Sequence, residues 1–462
     1  MHTFCFLLKW HKATPKLWFL QRSDGMLRIE YKFVEAKTRH LHLFFYNLFL
    51  FAYQLGIKLV ARWNPKARSW LKGRINIFDR LKDALQENRR PVIWMHCSSL
   101  GEFEQGRPIF ESIKASHPQH FMLVTFFSPS GYEYRKEYAA ADLVMYLPMD
   151  GKENAQRFLD IVQPKLVIWI KYEYWYYYLK QLKEQQVPVL LVSALFRPNM
   201  AFFQWYGKMY REILGFFNTI FVQNEASKAA LKTIGFEENV VVAGDTRFDR
   251  VKTIADNPVQ VPEIAAFIEQ APTLVAGSTW PEDEELLDHY ANVHPHVKFI
   301  IAPHDIFEER LQQIEALFKH AVRYSKWKTM TENEKRQSSF NSLIIDNIGM
   351  LSSLYQYATV SYVGGGFGEE GVHNVLEAAV YGKPVVYGPE YSAYEEAIEL
   401  IDCGGGFSIE SVIEMEPLAD RLLTDKAFYH ETCEAAAGYV KGKAGASKSI
   451  LDRIYEKRLL TN

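Results

Sequence analysis

Cysteine is scarce: Cys5, Cys97, Cys403 and Cys433 are the four in 462 residues, and they lie far apart. No CxxC pair or Cys/His cluster has zinc spacing, and nothing reads as a disulfide framework, so a reducing, cytoplasmic compartment is expected. Charge of one sign is missing as well. Fifty-three Lys and Arg against 55 Asp and Glu leave −2, without the strongly basic face that a general nucleic-acid binder needs. Carboxylates and histidines nowhere cluster at ligand spacing, so no metal and no bound cofactor is implied. Internal repeats and low-complexity tracts are absent too. What is present is an ordinary globular composition, 48% hydrophobic and 23% charged, with an excess of aromatics at 15%. The length suggests two domains with extras.

Residues 1–40 mix apolar and basic residues without periodicity. His11, Lys12 and Lys16 interrupt the apolar run and no cleavage site follows, so a signal peptide is not expected and Met26 or a later site is a candidate start. From Leu41 to Ile57 no residue carries a formal charge, although His42, Asn47 and Gln54 interrupt the apolar character. Lys58, Arg62, Lys66, Arg68, Lys72 and Arg74 follow, with no acid before Asp79. An apolar, aromatic helix beside a basic run suits an anionic membrane surface, either lying in the interface or spanning. A helix buried against a domain is the other reading. The segment 41–78 is taken as this membrane-associating element.

After Asp79, β-branched apolar runs alternate with longer helical stretches: VIWMHC (92–97), FMLVTF (121–126), LVMYL (143–147), LVIWI (166–170) and PVLLVS (188–193). The Pro-bearing stretch 254–272 reads as a linker. The alternation resumes with TLVAG (273–277), KFIIA (298–302), LIID (343–346), TVSYV (359–363) and PVVY (384–387). Near-continuous apolar strands separated by helices mean parallel sheets covered on both faces. The expected architecture is α/β: two facing Rossmann-like domains, 79–253 and 273–462, with ligands in the cleft at the strands' carboxyl ends.

Five segments hold candidate chemistry. In TVSYVGGGFGEEGVHNVLEAAVYGKPVVYGPEY (359–391) a strand enters a glycine loop and then a helix expected near His373. Such a loop lets a ligand approach the backbone, and the helix start attracts phosphate. Gly366 to Gly371 formally match GxGxxG, but Glu369 and Glu370 would face a pyrophosphate and the motif comes late in the chain. Asn374 and Glu377 share a helical face; Glu377 is either a ribose-hydroxyl acceptor or a solvated residue behind a cap. In HCSSLGEFEQGRPIFESI (96–113), Glu102 falls at a strand's carboxyl end, placed to deprotonate an alcohol, with the helix dipole expected to depress its pKa. Ser99-x-x-Glu102 is equally a capping box. Glu173 is the single acid among the aromatics of KYEYWYYY (171–178), and this cluster is either a cleft wall or core. Arg247 of GDTRFD (244–249) is an anion contact or a surface ion pair. GSTW (277–280) and APHD (302–305) are loops with polar groups for a phosphate or base.

Taken together and in order, SSLGE, KYEYW, GDTRFD, GSTWPEDEE, IAPHD and GVHNVLEAAVYGKPVVYGP resemble the 3-deoxy-D-manno-octulosonic acid (Kdo) transferases, from about Phe44 to near the C-terminus. The resemblance implies a GT-B fold and inverting transfer of Kdo from CMP-Kdo to a lipid A precursor at the cytoplasmic face of an inner membrane. It implies Glu102 as the catalytic base of an S-x-G-E motif. Glu173 would be the acid of E-T-E-L-W, and Arg247 stands where G-N-L-K-F-D has Lys; both would stabilise the transition state. Pro303 and His304 fall on a CMP-binding P-R-H motif, with His in place of Arg and Asp305 in place of His. Ile348, Gly349 and Met350 match a nucleotide-contacting turn that usually ends in Glu. Asn374, Val375, Leu376 and Glu377 match N-x-L-E. Two alternatives stay open: a GT-B enzyme with a UDP- or ADP-linked donor, and a non-catalytic nucleotide-sugar or lipid-binding scaffold. Oligomeric state is not legible.

Overall fold

The computed structural model describes residues 24–460, with side chains from Leu41 onward. The expectations for 1–23, and for the side chains up to His40, lie outside the described residues. The chain divides into two compact units, the first ending at Asn64 and the second starting at Pro65.

In the first unit the uncharged segment lies within one helix, Asp24–Val60, which begins well before Leu41. Its stretch Leu41–Val60 is long and apolar enough to cross a membrane by length and composition. At about 1.5 Å per residue, 20 residues match a ~30 Å hydrocarbon layer. Phe44, Phe45, Leu48, Phe49 and Phe51 are at least half exposed.

The second unit carries two seven-stranded, wholly parallel sheets. The first holds β1 (Val92–Cys97), β2 (Phe121–Phe126), β3 (Leu143–Tyr146), β4 (Pro164–Ile170), β5 (Val189–Ala194), β6 (Thr219–Val222) and β7 (Val240–Val242), in the order β3-β2-β1-β4-β5-β6-β7. The second holds β8 (Thr273–Thr279), β9 (Lys298–Pro303), β10 (Ala321–Arg323), β11 (Ser342–Ile344), β12 (Val360–Val363), β13 (Val385–Tyr387) and β14 (Gly406–Ser408), in the order β10-β11-β9-β8-β12-β13-β14. Every residue of β1, β2, β5 and β6 is buried, as continuous apolar runs in a doubly covered sheet require. The first order reverses between β1 and β4 and the second between β8 and β12, with β10 and β11 exchanged at the second sheet's edge. Those two switch points open the crevices where α/β proteins take ligands.

Three boundaries differ from the expectation. The second unit begins at Pro65, because Trp70 is buried and the Arg74 guanidinium lies 3.8 Å from its ring while donating to the carbonyls of Phe127 and Leu147. The supposed linker is largely helical: Thr246–Asp256 ends in it and Pro262–Ile268 follows, with Ile264 and Phe267 in the second sheet's core. Finally, the helix Ala446–Glu456 returns to the first domain, burying Ile450 and Ile454 against Ile93, Phe110 and Ile113.

Candidate active site

Glu102 and Glu173 follow the two strands that flank the first switch point. Ser99 caps the helix Leu100–Ser116, accepting from the Glu102 amide, and the Glu102 carboxylate accepts from the Ser98 amide at 2.5 Å. The Ser99 cap therefore exists, but the carboxylate takes the amide before the cap, so the capping box is half formed, and Glu102 lines the cleft. The helix can sit this close because of Gly106, where a Cβ would stand 2.6 Å from Met95 Sδ. The expected depression of the Glu102 pKa is corrected by the fold: burial first, and the Glu173 carboxylate second, raise it to about 8. Desolvation and a neighbouring negative charge outweigh the amides at the helix start.

Three donors fill the Glu173 carboxylate: His96 Nε2 at 2.9 Å, Ser98 Oγ at 2.7 Å and Trp175 Nε1 at 3.0 Å. Behind it, His96 Nδ1 meets Thr125 Oγ1 at 2.8 Å, and Thr125 accepts from Trp94 Nε1. With the Thr125 hydroxyl donating to Nδ1, the Nε2 proton is left for Glu173. This buried chain had no signal in the sequence beyond the polar His96 and Thr125 inside apolar strands. Much of the aromatic cluster is core, since Tyr176 and Tyr178 are fully buried, while Tyr172 is exposed at the cleft.

In the second domain the glycine loop after β12 is drawn in by Asp283, whose carboxylate accepts from the Gly365 amide, and Gly365 has φ 90°. A Cβ on Gly366 would lie 2.6 Å from the Gly388 backbone, so only glycine fits there. The helix expected near His373 is a single turn, Leu376–Ala379. Asn374 Oδ1 accepts from the Leu376 amide while its Nδ2 donates to Glu377 at 3.0 Å. Burial raises the Glu377 pKa. Val375 and Leu376 are corrected as side-chain contacts, because both are fully buried in the core. Pro303 ends β9, and His304 stacks on Trp280 (4.6 Å) and on His373 (5.0 Å). Trp280 Nε1 donates to His373 Nε2 at 3.1 Å, so these two rings form a raft beneath the exposed His304. Burial, then His304, lowers the His373 pKa. Ile348 is 71% exposed, Gly349 turns with φ 95°, and Met350 leads into the helix Leu351–Leu354 and packs on the core.

A cleft of about 740 Å³ gathers Glu102, Arg247, Gly349, Asn374 and Glu377. Glu173, Pro303, His304, Ile348, Met350, Val375 and Leu376 are not among its lining residues. Arg247 is an ion-pair member: its Nε donates to Asp245 at 2.7 Å and its Nη1 to Glu396 at 2.6 Å. Although burial opposes its charge, Asp245 and Glu396 raise its pKa further. Lys171 also lines the cleft, and burial lowers its pKa. Among the described residues no group of three His, Cys, Asp or Glu side chains could hold a metal ion.

Residues 73–250 match the family described as "3-Deoxy-D-manno-octulosonic-acid transferase (kdotransferase)". A bifunctional glycosyltransferase/methyltransferase of Fusobacterium nucleatum is 26% identical over 79% of this chain, which spans only 58% of that relative's length. A 3-deoxy-D-manno-octulosonic acid transferase of Aquifex aeolicus is 27% identical over 75% of this chain and 89% of its own. A crystal structure of UDP-GlcNAc 2-epimerase from Neisseria meningitidis, bound to UDP-GlcNAc, superimposes with a TM-score of 0.58 over 79% of this chain and all of that one, at 15% identity. That likeness is one of fold and leaves the chemistry to the site.

Proposed function

We propose that the chain is a glycosyltransferase of the Kdo transferase kind, a reading supported by the family match over 73–250 and by the Aquifex aeolicus relative, and that it moves Kdo from CMP-Kdo onto a lipid A precursor, inverting the anomeric carbon. The observation that carries this reading is one cleft holding both Glu102 and Glu377, each beside its domain's switch point. Glu377, braced by Asn374, would accept from the ribose hydroxyls. Glu102 would take the proton of the acceptor hydroxyl as its oxygen attacks the anomeric carbon and the bond to the CMP phosphate breaks. A carboxyl with a pKa near 8 is a far stronger base than an ordinary one once ionised, which suits removal of a proton from an alcohol. Glu173, filled by three donors, would serve as a fixed negative charge near the developing oxocarbenium ion. The exposed helix Leu41–Val60 would hold the protein at the cytoplasmic face of the inner membrane, where a lipid acceptor resides.

The test is a coupled assay with the purified full chain, generating CMP-Kdo in situ and offering a tetra-acylated lipid A precursor. Mass spectrometry of the lipid should show a gain of one or more Kdo units. Folded protein that binds CMP but adds no mass would overturn the acceptor assignment. Absence of CMP binding would overturn the donor.

A further inference from the structure

Two residues beyond Glu102 on the same helix, Glu104 receives three guanidinium groups: Arg135 at 2.7 Å, Arg250 at 2.8 Å and Arg107 at 3.4 Å. Burial pushes the Glu104 carboxyl up, but the Arg135 hydrogen bond and the charges of Arg250 and Arg107 bring it below its ordinary value. Arg107 has a second acid, Glu111 at 2.8 Å. Arg135 and Arg250 make no second ion pair among the described residues, although the Arg250 charge also acts on the Glu377 carboxyl. Each spends little of its donor capacity here: Arg135 uses one terminal nitrogen and Arg250 its Nε, out of five N–H groups apiece. The Arg135 Nε is buried and has no hydrogen-bond partner, an arrangement that costs free energy unless a further acceptor arrives.

Both arginines line the cleft that holds Glu102 and Glu377. They come from separate elements, Arg135 ending the helix Pro129–Arg135 after β2 and Arg250 standing on Thr246–Asp256, which leads from the first sheet to the second. Two half-used guanidinium forks around one shared carboxylate match the geometry of a tetrahedral oxyanion, which accepts from several N–H groups at once.

We propose that Arg135 and Arg250, oriented by Glu104, form an anion subsite of the cleft that takes a phosphate group of one of the two substrates. The subsite stands on its own geometry, and only the choice of substrate rests on the transferase reading. In that reading the phosphate belongs either to the nucleotide or to a phosphorylated acceptor.

The experiment titrates inorganic phosphate into the detergent-solubilised full chain by calorimetry, alongside Arg135→Gln, Arg250→Gln and the exposed control Arg157→Gln. Phosphate should bind the wild type and the control, and bind each cleft variant about tenfold more weakly, as loss of one charge-assisted pair implies. Arg250→Lys and Arg135→Lys guard against misfolding and should keep part of the affinity. Titration with CMP, and KM for phosphorylated and dephosphorylated acceptors, then separates the sources. Weaker CMP binding in the Gln variants assigns the nucleotide phosphate. Unchanged CMP binding with a raised KM for the phosphorylated acceptor alone assigns the acceptor. Equal phosphate affinity in folded wild type and both Gln variants, or no phosphate binding by the wild type, overturns the subsite. Phosphate binding without Kdo transfer would overturn the transferase reading and leave the subsite standing.

Discussion

Replacing Glu102 by Gln keeps the side chain's length and its acceptance from the Ser98 amide, and removes only the ionisable proton. In the folded protein burial, then Glu173, holds that proton until about pH 8, against an ordinary 4.5. The folded pKa lies above the unfolded one, so ionising the carboxyl opposes folding. This burden is absent below about pH 4.5, grows as pH rises, and is complete above about pH 8. At about 1.4 kcal/mol per pH unit the full difference corresponds to about 5 kcal/mol. Solvent at the cleft mouth screens part of it, which leaves an expected gain of about 1–3 kcal/mol for Glu102→Gln at alkaline pH. The assay is thermal unfolding of both proteins in detergent across the range from acidic to alkaline pH. The variant should melt several degrees higher at alkaline pH, and the two curves should converge in acid. The same pair gives the kinetic half of the argument. Wild-type kcat/KM should rise with pH to an inflection near 8, while the variant loses roughly 10²–10⁴-fold in transfer. A melting difference that does not change with pH would refute the claim that this carboxyl is held protonated. Wild-type turnover by the variant would remove Glu102 from the chemistry.

Glu377→Gln should weaken CMP binding about tenfold in calorimetry while leaving the Glu102 pH inflection in place, since it touches only the ribose acceptor. His96→Phe removes a donor from Glu173 and should lower kcat about tenfold or more with CMP affinity intact; an unchanged kcat would make the buried chain purely structural. Arg247→Lys cannot reach Asp245 and Glu396 together as the fork does, and should lower the melting temperature by a few degrees. Aspartates at Phe45 and Phe49, both more than half exposed on the apolar helix, should move the protein from the vesicle to the soluble fraction in flotation with anionic liposomes.

Pattern was readable wherever one local rule acted alone. The long buried strands announced themselves as apolar runs, and the alternation with helices implied parallel sheets, so β1, β2, β4, β5, β8 and β9 lie close to where periodicity placed them. β10 (AVR) and β14 (GFS), at the two edges of the second sheet, carry no apolar run of their own, and their neighbours in the sheet make them strands. The stretch 254–272 looked like a linker because its three prolines break the pattern, yet Pro262 opens a helix whose Ile264 and Phe267 are core. At the site the failures have one cause. Spacing along a helix rightly put Glu102 at a helix start, and from that alone a lowered pKa follows. The fold brings Glu173 alongside from the far side of the switch point and buries the pair, and the sign reverses. Arg135 and Arg250 belong to no motif and are separated from Glu104 by 31 and 146 positions. Only the strand order makes them neighbours. A sequence names the groups that can carry charge, and the topology decides which of them must share a cleft. Chemistry that depends on two charges meeting is therefore where reading along the chain fails first.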